Sequence, residues 1–368
     1  MLQLLTGARN AALIILALGF LVAACGDDDG EEPETATQQP VTEAGETVQA
    51  TPSESPTDDI ERAAVTFMAA FKPQANLPFV GVYVAQERGF FDREDLDVAI
   101  EHDAGGQGEA VRLLVAGAIE FSTADAAVVM QRRADPGLPL VAIAQVGQRG
   151  QQGFAVKADS AIETPADFAG RVVGYKGATV PPDLFAILDT EGLGASDIEL
   201  VNIGFDPRVF VEGQVDVYPL FLSNEPFIIE GQLETPIRIF EAADYHIPTL
   251  GLTYVTNDDF AAENPDVVER FLRAVIDGIN WAIENPEEAL EIVAIHAPGE
   301  DPDLMRFMLE TEIAVATEGA GAEGIGLFDE QRWSDLYDVL VRYEALTAEV
   351  DPQDAYNDTF IEEIHLAE

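Results

Sequence analysis

Leu138-Pro139-Leu140-Val141-Ala142-Ile143-Ala144-Gln145, then Gly147-Gln148-Arg149-Gly150-Gln151-Gln152, then Gly153-Phe154-Ala155-Val156-Lys157, reads as a buried strand, a polar flexible stretch and a second strand. On both sides of it, from Val65 to about Asp244, short apolar runs alternate with helical segments, the signature of a parallel α/β sheet. Predicted strands cover 65–71, 96–101, 120–123, 138–145, 153–157, 171–175, 198–203, 215–220 and 237–240. Predicted helices cover 78–88, 109–116, 124–133, 182–191, 207–212 and 224–231, with Gly89, Gly117, Gly192 and Gly213 placed where helices should end. After a further strand at 250–256 the character changes. Segments 265–284, 286–296, 302–316 and 329–346 read as consecutive helices, several opened by proline in the first turn. Two α/β blocks, a return strand and a helical tail imply a chain that crosses between two lobes twice, near 152–158 and 241–251. Two connecting segments make a hinge, and the cleft between the lobes can close on a small-molecule ligand.

The N-terminus points to a compartment. Residues 11–24 are apolar apart from Gly19 and meet Cys25, the only cysteine. Such a run is too short for a comfortable membrane span but suits a signal-peptide core. Val22-Ala23-Ala24-Cys25-Gly26 resembles a bacterial lipobox, in which the thiol is lipidated and cleavage makes Cys25 the new N-terminus; an ordinary secreted protein or an uncleaved anchor are the other readings. With Cys25 so used, the folded part has no cysteine for a disulfide, a zinc cluster or a nucleophile. Residues 26–60 hold eleven acids, no Lys or Arg and hardly a large apolar side chain. They cannot bury enough surface to offset their ordering entropy, and are expected to form a disordered acidic tether. The expected organisation is a lipoprotein signal peptide (1–24), a tether (25–60), the first part of lobe 1 (61–155), lobe 2 (156–244), and the return to lobe 1 with the C-terminal helices (245–368).

The formal net charge is −49. So acidic a chain lacks the basic footprint that nucleic acid requires, and it does not suit a body lying on anionic lipid. The charge speaks to a solvated acidic shell, of the kind found in acid-rich, salt-adapted proteomes, rather than to chemistry.

A set of ordered segments carries a resemblance. Phe71-Lys72-Pro73-Gln74-Ala75-Asn76 precedes Tyr83-Val84-Ala85-Gln86-Glu87-Arg88-Gly89-Phe90-Phe91; Leu96-Asp97-Val98, Ala116-Gly117-Ala118-Ile119-Glu120-Phe121 and Leu138–Ala144 follow; then come Thr164-Pro165-Ala166-Asp167-Phe168-Ala169-Gly170 and Glu212-Gly213-Gln214-Val215-Asp216. Together, over about Val65 to Leu290, these resemble the ABC-transporter solute-binding proteins that take thiamine-pyrimidine precursors, riboflavin and alkanesulfonates. The resemblance implies a type II periplasmic-binding-protein fold, an ABC permease as partner, an extracytoplasmic location with membrane attachment only through the lipid on Cys25, and no cofactor. It further implies that Asn224-Glu225, after a Val-Asp strand, matches an Asn-Glu pair whose acid reads a ring amine. Related binders often carry Trp where residue 71 is Phe.

Ligands of open sheets sit beyond the carboxyl ends of strands, which selects particular loops. Asn76 stands at the entry to a helix, where it either meets ligand or serves as turn or N-cap. Phe79 opens that helix. Ser122, Thr123 and Asp125 are expected beyond the third strand, where capping alone would explain the hydroxyls while Asp125 suits a ligand amine. In the second lobe Lys176 and Thr179 follow a strand; Lys176 either binds an anion or balances carboxylates. Phe221, Asn224 and Glu225 follow another, with Glu225 also explicable as a first-turn carboxylate favoured by the helix dipole. Phe71, Phe79, Tyr83, Tyr175, Phe221 and Tyr245 supply aromatic surface near strand ends, suited to a flat ligand. Truncating Glu225 to Ala should then weaken binding with little loss of melting temperature.

A flat heteroaromatic vitamin or precursor is thus the expected ligand, with a sulfonate such as taurine the alternative. Two other classes remain: a pyrimidine-synthase-like enzyme and a surface sensor. The four histidines are scattered without an HExxH pattern, GxSxG is absent, and Gly105-Gly106-Gln107-Gly108 lacks the third glycine of a dinucleotide fingerprint. A binding protein without catalysis is the expectation.

Overall fold

A computed structural model describes residues 61–103, 107–134, 137–177, 180–233 and 235–367. The expected signal peptide and tether, with Cys25 between them, and Thr179 lie outside the described residues.

Lobe 1 begins with β1 (Ala63–Ala69), α1 (Leu77–Glu87), α2 (Phe90–Arg93), β2 (Leu96–His102), α3 (Gln107–Val115), β3 (Phe121–Asp125), α4 (Ala126–Ala134) and β4 (Leu140–Gln145). Lobe 2 holds β5 (Gln152–Lys157), β6 (Val172–Tyr175), α5 (Pro182–Asp189), β7 (Glu199–Asn202), α6 (Arg208–Val211), β8 (Tyr218–Phe221), α7 (Glu225–Leu233) and β9 (Ile237–Glu241). The chain then returns through β10 (Leu252–Asn257), followed by α8 (Asp258–Glu263), α9 (Pro265–Glu284), α10 (Pro286–His296), α11 (Pro302–Ala316), α12 (Glu330–Arg342) and α13 (Thr359–Ala367).

The lobe 1 sheet has the order β2-β1-β3-β10-β4. Its strands alternate between two cores, with Phe67 and Ala69, Val141 and Ile143, and Tyr254 on one side. Met68, Leu140, Ala142 and Val255 lie on the other, the period-two pattern of a sheet covered on both faces. Lobe 2 repeats the scheme: Phe154, Val156, Val173 and Val217 pack on one face and Ala155, Tyr218 and Leu220 on the opposite one. Its sheet β8-β5-β9 meets the parallel pair β6-β7 through the bridge Val173–Val217.

The sheets are mixed rather than parallel. β5 runs antiparallel to β8 and β9, and β10 antiparallel to β3 and β4. Each is the first strand after a crossing, so it enters its sheet from the hinge end, opposite to strands that reach the hinge from within their own lobe. The first crossing is also displaced from its predicted place: 152–157 is β5 of lobe 2, and the chain passes between lobes over 146–151. The second occupies 242–251. The crossings touch backbone to backbone, Gly147 donating to Leu252 and Gly251 to Gly147, each at 2.8 Å. A Cβ on Gly251 would stand 2.8 Å from the Arg149 carbonyl, so only glycine admits this approach.

Helices α1 and α9 lock the first and last thirds of the chain together. The α1 residues Leu77–Ala85 are all buried, and a Cβ on Gly278 of α9 would meet the Gly81 carbonyl oxygen at 2.2 Å. The two helices pack this closely because glycines face each other, and the contact fixes α1.

Candidate functional site

Two clusters face each other across the lobes. The lobe 1 cluster forms where β1 ends and α1 begins. Asn76 occupies the N-cap position with extended backbone, yet its side chain does not cap the helix. It donates instead to Glu312 of α11 at 2.5 Å and accepts from Gln74 Nε2. The Glu312 carboxylate takes over the capping task, accepting from the Leu77 N–H at 2.9 Å. Glu312 is 7% exposed; burial pushes its pKa up to about 7 against the pull of these donors, and the charge of Asp125 adds to the rise.

The lobe 2 cluster gathers at the carboxyl ends of β6, β7 and β8. Lys176, just after β6, forms an ion pair with Glu225 at the start of α7, both side chains about nine-tenths buried. Desolvation lowers the Lys176 pKa while Glu225 opposes the shift. The second Glu225 oxygen accepts from the Phe221 N–H at 2.7 Å. The Lys176 ammonium lies 4.6 Å from the Tyr218 ring and 5.5 Å from that of Phe205. Phe205, after β7, is 71% exposed and Phe221, ending β8, 40%.

Contacts cross between the clusters. Ser223 in lobe 2 donates to Glu312 at 3.1 Å, and Phe227 of α7 meets Phe307 of α11 with ring centres 5.8 Å apart. Asp183, in the first turn of α5, has its pKa raised to about 6, by burial first and then by the charge of Asp125 in lobe 1. At the hinge Arg149 pairs with Glu241 and reaches Glu318 at 3.3 Å.

The expected site residues divide accordingly. Asn76 stands in the lobe 1 cluster; Lys176, Phe221, Asn224 and Glu225 gather in lobe 2. Asp125 ends β3 and acts electrostatically on both Glu312 and Asp183. Ser122 and Thr123 are not in a loop, because β3 continues to Asp125; both are fully buried, Ser122 donating to the Met68 carbonyl at 2.7 Å and Thr123 accepting from Ala70 N at 3.4 Å. Their hydroxyls serve the sheet. Phe79 is 1% exposed in the lobe 1 core, where close packing of α1 leaves it no surface for a ligand. Tyr83 is likewise buried, bonded to His102 at 2.7 Å.

Three residues of the clusters were not expected: Glu312, Asp183 and Phe205. Glu312 had a signal, since it falls on the apolar stripe Met305, Met308, Leu309, Val315 and Ala316 of α11, where an acid needs a reason. Asp183 reads as an ordinary first-turn acid, and Phe205 sits in a short loop without pattern. Among the described residues no cluster of three or more His, Cys, Asp or Glu is arranged to hold a metal, and no helix is long and apolar enough to cross a membrane.

The fold is two-lobed, with a buried amide–carboxylate cluster in lobe 1 and an ion pair beside two exposed aromatic rings in lobe 2. Residues 76–289 match the family described as NMT1/THI5 like, and the chain belongs to it. It is 26% identical over 306 residues to the formylaminopyrimidine-binding protein of Halalkalibacterium halodurans, covering 82% of this chain and 91% of that one. To the riboflavin-binding protein RibY of Chloroflexus aurantiacus it is 25% identical over 307 residues, covering 81% and 86%. The fold matches the periplasmic aliphatic sulphonate binding protein SsuA of Escherichia coli with a TM-score of 0.61 at 16% identity, over 79% of this chain and 91% of that one. The architecture is therefore the type II periplasmic-binding-protein fold.

Proposed function

We propose that this chain is the extracytoplasmic solute-binding component of an ABC importer, held to the membrane by lipid on Cys25, and that its cleft takes a small flat heteroaromatic ligand such as riboflavin or a thiamine pyrimidine precursor. The observation that carries the reading is the pairing of faces: exposed Phe205 and Phe221 beside the Lys176–Glu225 pair in lobe 2, opposite the Asn76–Glu312 cluster of lobe 1. An aromatic ring exposed at 71% gains when a flat ligand covers it. The relatives named for formylaminopyrimidine and riboflavin support the same ligand class.

A sulfonate is the second reading, favoured by the fold shared with SsuA. Charge weighs against it, because Lys176 is already paired with Glu225 while Asp125, Asp183 and Glu312 stand near one another. An enzyme would need a reactive group, yet the chain's one cysteine is Cys25, and the histidines that meet, His102 and His296, enclose the buried Tyr83 within lobe 1.

Thermal-shift measurements with riboflavin, 4-amino-5-hydroxymethyl-2-methylpyrimidine and taurine test the proposal. A ligand at 100 times its Kd stabilises by about 2.7 kcal/mol. Stabilisation by riboflavin or the pyrimidine is expected; a shift with taurine alone would sink it.

A further inference from the structure

The lobe 1 cluster has a direction. Glu312 accepts from Asn76 through the amide nitrogen, so Asn76 turns its carbonyl oxygen the other way. That oxygen accepts from Gln74 Nε2, which leaves Gln74 with its own carbonyl oxygen, Oε1, at the end of the relay. Gln74 is 6% exposed, and Oε1 is buried without a hydrogen-bond partner. Leaving a buried acceptor unpaired is costly, and it persists here because the carboxylate at the other end dictates which way both amides face. In lobe 2, next to the Ser223 that also bonds Glu312, Asn224 Oδ1 is a second buried acceptor without a partner. Both unspent groups are acceptors, and both stand at carboxyl ends of strands, after β1 and after β8.

We propose that Glu312 is the positioning residue of the cleft: by fixing the polarity of Asn76 and Gln74 it makes this edge of the site select a ligand that presents hydrogen-bond donors. Amino groups and ring N–H groups meet that demand; a sulfonate or any edge carrying only acceptors leaves the buried oxygens unpaired. Glu312 lies beyond the segment 76–289 that matches the family, so the selectivity is set by a helix outside it. The inference rests on the cleft being the solute site, but the relay itself does not depend on any ligand.

Two measurements test it. The first needs no ligand. At about pH 8.5, above the Glu312 pKa of about 7, the side-chain amide resonance of Asn76, identified by its loss in Asn76→Ala, should change when Glu312→Gln replaces the ionised carboxylate, a pure acceptor, with a group that also donates. An unmoved resonance would overturn the relay, whatever the ligand. The second compares binding of 4-amino-2-methylpyrimidine with its 4-methoxy counterpart, which carries hydrogen-bond acceptors only. The native protein should prefer the amino compound by about tenfold or more, and Glu312→Gln should compress that ratio towards one. Glu310→Gln, at an exposed position of the same helix, should keep the preference. A Glu312→Gln protein with the native ratio would refute the positioning role. Failure of both compounds to bind the native protein would remove the pyrimidine reading while the amide resonance still decided the relay.

Discussion

The two clusters, one in each lobe, are built on opposite plans. On lobe 1 a carboxyl group is buried among neutral donors, with Asn76, the Leu77 N–H and Ser223 each giving it a hydrogen bond and, among the described residues, no cation paired with it. On lobe 2 a carboxylate is buried against its own cation, the Lys176–Glu225 pair, beneath aromatic rings left open to solvent. The first arrangement holds dipoles in a set direction; the second neutralises charge and offers flat surface. A ligand gripped by both would have its polar edge read by lobe 1 and its ring face by lobe 2.

The contrast breaks most sharply at Glu225. Its removal strands a buried ammonium, which costs about 3–5 kcal/mol, so Glu225→Ala should lower stability in denaturant titrations by that order. This reverses the expectation, drawn from the residue type alone, that the change would spare the melting temperature. An unchanged midpoint would mean that Lys176 reaches water when its partner is lost.

A smaller effect separates Glu312. Its folded pKa of about 7 lies above the usual carboxylate value, so the folded state holds a proton that the unfolded state gives up. The resulting stability is complete below about pH 4.5 and is lost as pH rises through about 7. Between pH 5 and 8 native stability should fall relative to Glu312→Gln by on the order of 2–3 kcal/mol. Parallel pH profiles for the two proteins would place the group's proton affinity near that of the unfolded chain.

The smallest expected change in stability is at Phe205. A ring so exposed contributes little to folding, and Phe205→Ala should stay within about 0.5 kcal/mol of the native stability. Its effect belongs in binding, where losing a stacked ring should weaken riboflavin by about 1 kcal/mol, or some fivefold. Native affinity in this variant would assign stacking to Phe221 instead.

Much of this architecture is legible in the chain. Each of the ten strands among the described residues leaves an apolar run, and the proline-opened helices α9, α10 and α11 begin at Pro265, Pro286 and Pro302 as their first-turn prolines indicate. Strand direction is not legible, because periodicity is the same whichever end of a sheet the chain enters. The end of β3 escapes for a related reason: Ser122 and Thr123 look like a cap, and only the neighbouring Met68 and Ala70 reveal that their hydroxyls are spent inside the sheet. Of the site, local signals mark Asn76, Lys176 and Glu225. Their partners are another matter. Glu312 reaches Asn76 across 236 positions of sequence, and a carboxylate met at such range is visible only once the helices that carry the two residues have packed.

The position of β10 has a consequence for how the protein comes to be folded. Lobe 2 is one unbroken stretch, β5 to β9, and can assemble from its own segment. Lobe 1 cannot, because β10 must slot between β3 and β4, pairing Leu252 with Asp125 and Asn257 with Leu140. Contacts so distant along the chain are entropically expensive to close and slow to form. The inserted lobe should therefore mature first, its amides protected in pulsed hydrogen exchange before those of β3 and β4, and the contacts that join the lobes, such as Ser223 with Glu312, should be the last to exist.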